Sequence, residues 1–172
     1  MDFQNTLEAL KTVIESNKGI SIFANRNAKF ENWMQVELCG ILSKKYKEII
    51  PEPWIKSANR GYDIDVEGKI AIELKIFTTS PKSASRNVES IIKDIKTLRE
   101  LVGGIERLLI FVVFPTTTPE DQERWEYYKN KITDKISEQK LGKLNLQKPL
   151  SFSFFAGEKK GLLYLGKLIE IE

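Results

Sequence analysis

The 172-residue chain contains no histidine, and that absence removes whole reaction classes before any motif is considered. Ser-His-Asp hydrolases, Cys-His proteases, His-Glu-X-X-His metalloenzymes and His-Asn-His nucleases all depend on an imidazole. Any enzyme built on this sequence must handle protons and charge with carboxylates, lysine, tyrosine or a bound metal ion. The single cysteine, Cys39, cannot form an internal disulfide and falls inside an apolar helical pattern, so it reads as a core thiol, and no zinc site can be assembled. No apolar run approaches the roughly 18 residues that span a bilayer. Met1 opens onto Asp2, Glu8 and a polar helix rather than a basic and then apolar leader, so the expected setting is the cytoplasm, with no membrane partner.

What is present suits one globular domain over residues 1–172: 41% of the residues are hydrophobic, enough for a real core, and 30% are charged, enough to cover it. The net charge of +3 is compatible with a nucleic-acid partner but too slight to require one.

Leu7, Leu10, Val13 and Ile14 recur at helical spacing from Asp2 to about Ser16, and Asn17, Lys18 and Gly19 end that pattern. A second helix is expected from about Lys29 to Lys45, with Phe30, Trp33, Met34, Glu37, Leu38, Ile41 and Leu42 on one stripe and Glu37 its single acid. Pro51 and Pro53 then forbid regular structure, and the chain turns polar through Lys56, Ser57, Asn59, Arg60 and Gly61. Residues 62–66 and 69–77 each alternate with period two around Glu67 and Gly68, which predicts a β-hairpin. After a polar loop from Thr78 to Arg86, a helix carries the stripe Val88, Ile91, Ile92, Ile95, Leu98 and Leu101, and Gly103 and Gly104 stop it. Leu108 to Phe114 is a continuous apolar run, as in a strand buried on both faces. Thr118 and Pro119 form the N-cap and first residue of a helix reaching about Lys140, and two strands, near 150–156 and 162–171, complete the chain. The class is therefore α/β, a mixed central β-sheet flanked by helices.

Chemistry concentrates in the hairpin. Ala71, Glu73, Lys75 and Phe77 share one face of its second strand, and Asp63 and Asp65 share a face of its first. A connection through Glu67, Gly68 and Lys69 sets Asp63 across from Glu73, so that two carboxylates and an ammonium converge. Phosphodiester hydrolysis needs such a group. Two oxygen ligands can hold Mg²⁺ or Mn²⁺ while phosphate and water complete its shell, and the lysine can orient or deprotonate water or offset developing charge.

Asp63, nine intervening residues and then Glu73-Leu74-Lys75 resemble the Asp and Glu-X-Lys motif of the PD-(D/E)XK, or restriction-endonuclease-like, nuclease superfamily. Tyr62 stands where the motif's name has proline. Glu37 resembles the acid that many members carry on the helix before the hairpin, where it helps hold the metal or its waters. The resemblance runs over about residues 30–114. It implies a restriction-endonuclease-like core and a Mg²⁺- or Mn²⁺-dependent endonuclease, with Asp63, Glu73, Lys75 and Glu37 catalytic and the three acids among them holding the metal. DNA is the implied substrate, cut in a restriction-like or repair-like manner. Cutting both strands commonly uses two copies of such a site, so a homodimer fits, as does a partner protein that directs the nuclease.

Other readings of the same residues stay open. Asp65 is a second candidate for the acid, and Asp63 is preferred to it on spacing and face parity. Glu73 and Lys75 could be a cross-strand ion pair worth under about 1 kcal/mol. The triad could also be a buried polar network in a non-cleaving nucleic-acid-binding or protein-interaction module. Glu31 reads as a first-turn acid favoured by the helix dipole, and Gln35 as a helper near the site or a solvated residue. Trp33, Trp54 and Trp125 read as core or edge packing rather than as base-stacking platforms. Lys56, Asn59 and Arg60 before the hairpin, and Lys82, Ser83, Ser85 and Arg86 after it, are either solvated loop residues or phosphate clamps, with Lys56, Arg60, Lys82 and Arg86 the candidate nucleic-acid contacts.

Overall fold

Apolar spacing sets where each element buries its face. In the computed structural model, which describes residues 3–55, 60–81, 84–155, 157 and 159–170, the first helix is α1 (Gln4–Ser16), with Leu7, Leu10 and Ile14 inward. The apolar pattern ends at Asn17 as expected, but a further short helix follows, α2 (Lys18–Asn25). Its cause is local, because the Asn17 side chain accepts from the Ile20 amide at 3.0 Å and so caps a new N-terminus. Helix α3 (Glu31–Leu42) buries Met34, Leu38 and Leu42.

Next come β1 (Ile49–Pro51), the two-stranded ribbon of β2 (Trp54–Ile55) and β3 (Arg60–Gly61), and the hairpin of β4 (Ile64–Val66) and β5 (Ile70–Thr78). The sequence reading allowed no strand at Pro51. The chain has one because β1 lies at the sheet edge, where a proline removes no interior ladder bond. At the hairpin turn the Lys69 amide donates to the Val66 carbonyl at 3.0 Å, and both Glu67 (φ 54°) and Gly68 (φ 63°) are left-handed. Then follow α4 (Ala84–Arg99), β6 (Glu106–Phe114), α5 (Pro119–Glu138), β7 (Lys143–Leu146), β8 (Leu150–Ser153) and β9 (Lys160–Ile169). Thr118 and Asp121 cap α5 reciprocally. The short strand β7 escaped the sequence reading, since Lys143–Leu146 offers only two apolar positions.

The larger sheet runs β1-β4-β5-β6-β9-β7, with β8 also paired to β9. Only β5 and β6 are parallel, so this is an open, mostly antiparallel sheet flanked by helices. Every residue from Leu108 to Phe114 is buried, because β6 has strands on both edges and helices on both faces. One core joins Ile70, Ile72, Leu74 and Ile76 to α1 and α3. The other joins Ala71, Phe77, Leu109 and Phe111 to α4 and α5. The two-residue period of β5 thus sends Glu73 and Lys75 toward α4. No helix among the described residues is long and apolar enough to cross a membrane.

Candidate active site

Strand β4 runs out opposite Ile72, and the next two amides on that edge of β5 are taken by carboxylates. Leu74 N–H donates to Asp63 Oδ2 at 2.6 Å, and Ile76 N–H donates to Glu31 Oε1 at 2.9 Å. A buried amide left bare costs about 1–3 kcal/mol, so folding itself fixes both acids. The register Ile64–Ile72, continued by one residue, sets Asp63 across from Glu73 as the sequence reading expected.

Lys75 reaches α4. Its Nζ lies 2.7 Å from Asp94 Oδ2 as a close ion pair, 3.3 Å from Ser90 Oγ and 3.7 Å from Glu31 Oε1. Ser90 and Asp94 are one helical turn apart and meet the same ammonium. Asp63, Glu73, Asp94 and Glu31 therefore gather around Lys75, with Lys29 touching the outer acid, Glu31, at 3.8 Å. Glu73 is 8% exposed, and its Oε2 has no hydrogen-bond partner among the described residues.

Burial dominates the ionisation of this cluster. It pushes Asp63 up to about 6, with Asp94 and Glu31 adding to the rise and the Leu74 amide and Lys75 opposing it. Glu73 is pushed up to about 9, first by burial and then by Asp63 and Asp94, against a smaller opposing pull from Lys75. Burial also raises Asp94, although Lys75 works against it. Lys75 is the reverse case: burial lowers it, but Asp94 and Glu31 outweigh burial and hold the ammonium above its ordinary value. Without a cation Glu73 keeps its proton at neutral pH, and Lys75 stays charged.

Asp65, the acid within β4, is used structurally. Its Oδ2 accepts from Tyr62 O–H at 2.6 Å and its Oδ1 from Gly68 N–H at 2.7 Å, so it braces the hairpin turn. Gln35 donates to the Asp63 carbonyl at 2.7 Å and holds that residue against α3.

Glu37 does not join the group. It is half-buried and makes no hydrogen bond or ion pair among the described residues. On an ideal helix it lies about 200° around from Gln35, so the turn that aims Glu31 and Gln35 at β5 aims Glu37 elsewhere. The acid that α3 supplies is Glu31, which its first-turn position had suggested was only a dipole partner. Asp94 and Ser90 were missed altogether. The signal for Asp94 was an acid three residues after Ile91 and four before Leu98, on the inward arc of α4.

Of the proposed phosphate contacts, Lys56 and Lys82 lie outside the described residues, as do Asn59 and Ser83, and so does the side chain of Arg60. Arg86 is exposed on the first turn of α4. The tryptophans divide: Trp125 is core, its Nε1–H donating to Tyr164 Oη at 2.9 Å, Trp33 is partly buried against the core, and Trp54 is 63% exposed.

Among the described residues no three acids already form a metal cage. Asp63 and Glu73 nonetheless fit a hard cation of the Mg²⁺ kind, which takes one or two carboxylates and fills its shell with water and phosphate oxygens. The unpartnered Glu73 oxygen, and an excess of acids over ammonium, are what such an ion would relieve. Comparison with family models, with curated proteins and with solved structures gives no match to this chain.

Proposed function

We propose that this protein is a metal-dependent nuclease that hydrolyses phosphodiester bonds in DNA, in a restriction-like or repair-like role, on a restriction-endonuclease-like core. The observation that carries this reading is the buried Glu73 carboxylate oxygen, without a hydrogen-bond partner among the described residues and set beside Asp63 and Lys75. Asp63 and Glu73 would hold Mg²⁺ or Mn²⁺. A cation bound there supplies Lewis-acid activation of water and neutralises charge on the phosphate.

The chain's own residues do the rest. Asp94 and Ser90 hold the Lys75 ammonium in place, and its raised proton affinity makes it a fixed positive charge for phosphate oxygens rather than a base. Gln35 and the Leu74 amide hold Asp63 in one position, so that little reorganisation remains when substrate arrives.

The test is incubation with plasmid, single-stranded and branched DNA in Mg²⁺, Mn²⁺ and EDTA. Cleavage is expected with either metal and not with EDTA. Absence of cleavage on every substrate would overturn the reading. It would favour a second one supported by the 2.7 Å Lys75–Asp94 contact: a non-cleaving nucleic-acid-binding or protein-interaction module whose cluster is a buried ion network.

A further inference from the structure

We infer that the substrate strand at this site is unpaired DNA, with the bases on either side of the reacting phosphate stacked in two aromatic recesses that flank the acid cluster. This deepens the nuclease reading and rests on it. Each recess shares one acid with the site. Asp63 lines a hollow of about 290 Å³ with Trp54, and Glu31 lines one of about 650 Å³ with Phe23, Phe30 and Trp33.

Trp54 is 63% exposed and Phe23 is 49% exposed. Burying a large apolar side chain returns about 1.5–3 kcal/mol, so two aromatic rings left in water beside one polar cluster call for a partner with flat apolar faces. The Trp54 ribbon is built tightly. Trp54 pairs across it with Gly61, where an added Cβ would come 2.6 Å from the Pro53 carbonyl oxygen. In the second recess Phe30 forms the floor, stacked at 5.7 Å on Phe114 of the core, and Trp33 meets it edge-on at 6.2 Å. Lys29, on the rim, supplies a cation for a phosphate.

Access to base faces separates an unpaired strand from a duplex. The two shared acids bind the amides of Leu74 and Ile76, two residues apart on β5, which places the two recesses beside one cluster. In a duplex the bases stack on one another, and stacking hides their faces. Aromatic recesses on both sides of the cluster suit bases pulled out of such a stack, each worth a measurable share of the affinity.

The test is equilibrium binding in EDTA, by fluorescence anisotropy, of a labelled strand of about 12 nucleotides and of its blunt duplex. The strand is expected to bind at least about tenfold more tightly than the duplex and to quench tryptophan emission. Trp54→Ala and Phe23→Ala should each weaken strand binding about tenfold with duplex binding unchanged, and Trp54→Phe should restore most of the loss. Both changed side chains are exposed, so the variants should fold, which circular dichroism checks. Equal affinity for strand and duplex, no binding to either, or no effect of either alanine would overturn the inference. Parallel cleavage assays in Mg²⁺ and Mn²⁺ separate the two failures. Cutting of duplex that ignores Trp54 and Phe23 sinks the unpaired-strand inference and leaves the nuclease standing. Trp54-dependent strand binding without cutting sinks the nuclease and leaves strand recognition.

Discussion

Two buried charge clusters tie α4 to the same face of the sheet, and they differ in what they leave unbalanced. At the first, Lys75 on β5 meets Asp94 and Glu31, with Asp63 and Glu73 close by. At the second, Arg107 on β6, paired with Ala71, donates to Glu170 at 2.8 Å and to the Leu101 carbonyl at 2.5 Å, while Arg99 joins Glu170 at 3.2 Å. Each leaves two buried polar atoms without a hydrogen-bond partner among the described residues, Glu73 Oε2 and Asp94 Oδ2 in one and Arg99 Nη1 and Arg107 Nε in the other. The guanidinium cluster works as a staple. It binds a carbonyl just past the C-terminus of α4, and its counter-ion Glu170 is 61% exposed, so solvent supports the charge. In the acid cluster the inner members Glu73 and Lys75 are both nearly enclosed, and only its outer acid Glu31 is partly exposed, at 27%. Burial of charge alone does not mark a site; what distinguishes the acid cluster is an excess of acids over ammonium.

The largest expected effect separates the clusters by activity. Lys75→Ala should slow metal-dependent cleavage at least about 100-fold while leaving calorimetric Mn²⁺ binding largely intact. Asp63→Asn should lose metal binding and cleavage together. Unchanged cleavage in both purified variants would remove the acid cluster from catalysis. Arg107→Ala should do the opposite, costing about 2 kcal/mol in urea unfolding by stripping the Leu101 carbonyl of its donor, with the rate of cleavage by folded protein unchanged.

A third effect is in pH. Asp63 and Glu73 both have folded values above their ordinary ones, so below about pH 4 both states carry the protons. Between there and about 6 for Asp63, and about 9 for Glu73, the folded state holds them more tightly. The stability of the metal-free protein should therefore fall as pH rises through this window, by about 1.4 kcal/mol per pH unit for each proton. Glu73→Gln, unfolded in EDTA at several pH values from about 6 to 8, should flatten that slope by about one proton. An unaltered slope would mean that Glu73 ionises normally. The smallest effect belongs to Glu37→Ala, within about 0.5 kcal/mol in stability and silent in cleavage, since the residue makes no contact of the kind that carries larger changes. A large loss of activity there would bring α3's second acid back into the site.

The sequence by itself determined the elements and most of their inward faces. A two-residue period sorts Ile70, Ile72, Leu74 and Ile76 from Glu73 and Lys75, and an uninterrupted run makes β6 interior, because these patterns follow from backbone geometry whatever the surroundings. It also determined that Asp63 faces Glu73, since a short turn leaves the hairpin register little freedom. Only the tertiary structure decided which distant groups complete the cluster. Asp94 arrives because α4 crosses the face that bears Lys75, and Glu31 takes the place expected of Glu37 because β4 ends early and leaves the Ile76 amide to be satisfied. Such choices depend on which buried donors the assembled sheet leaves open, a quantity that local periodicity does not contain.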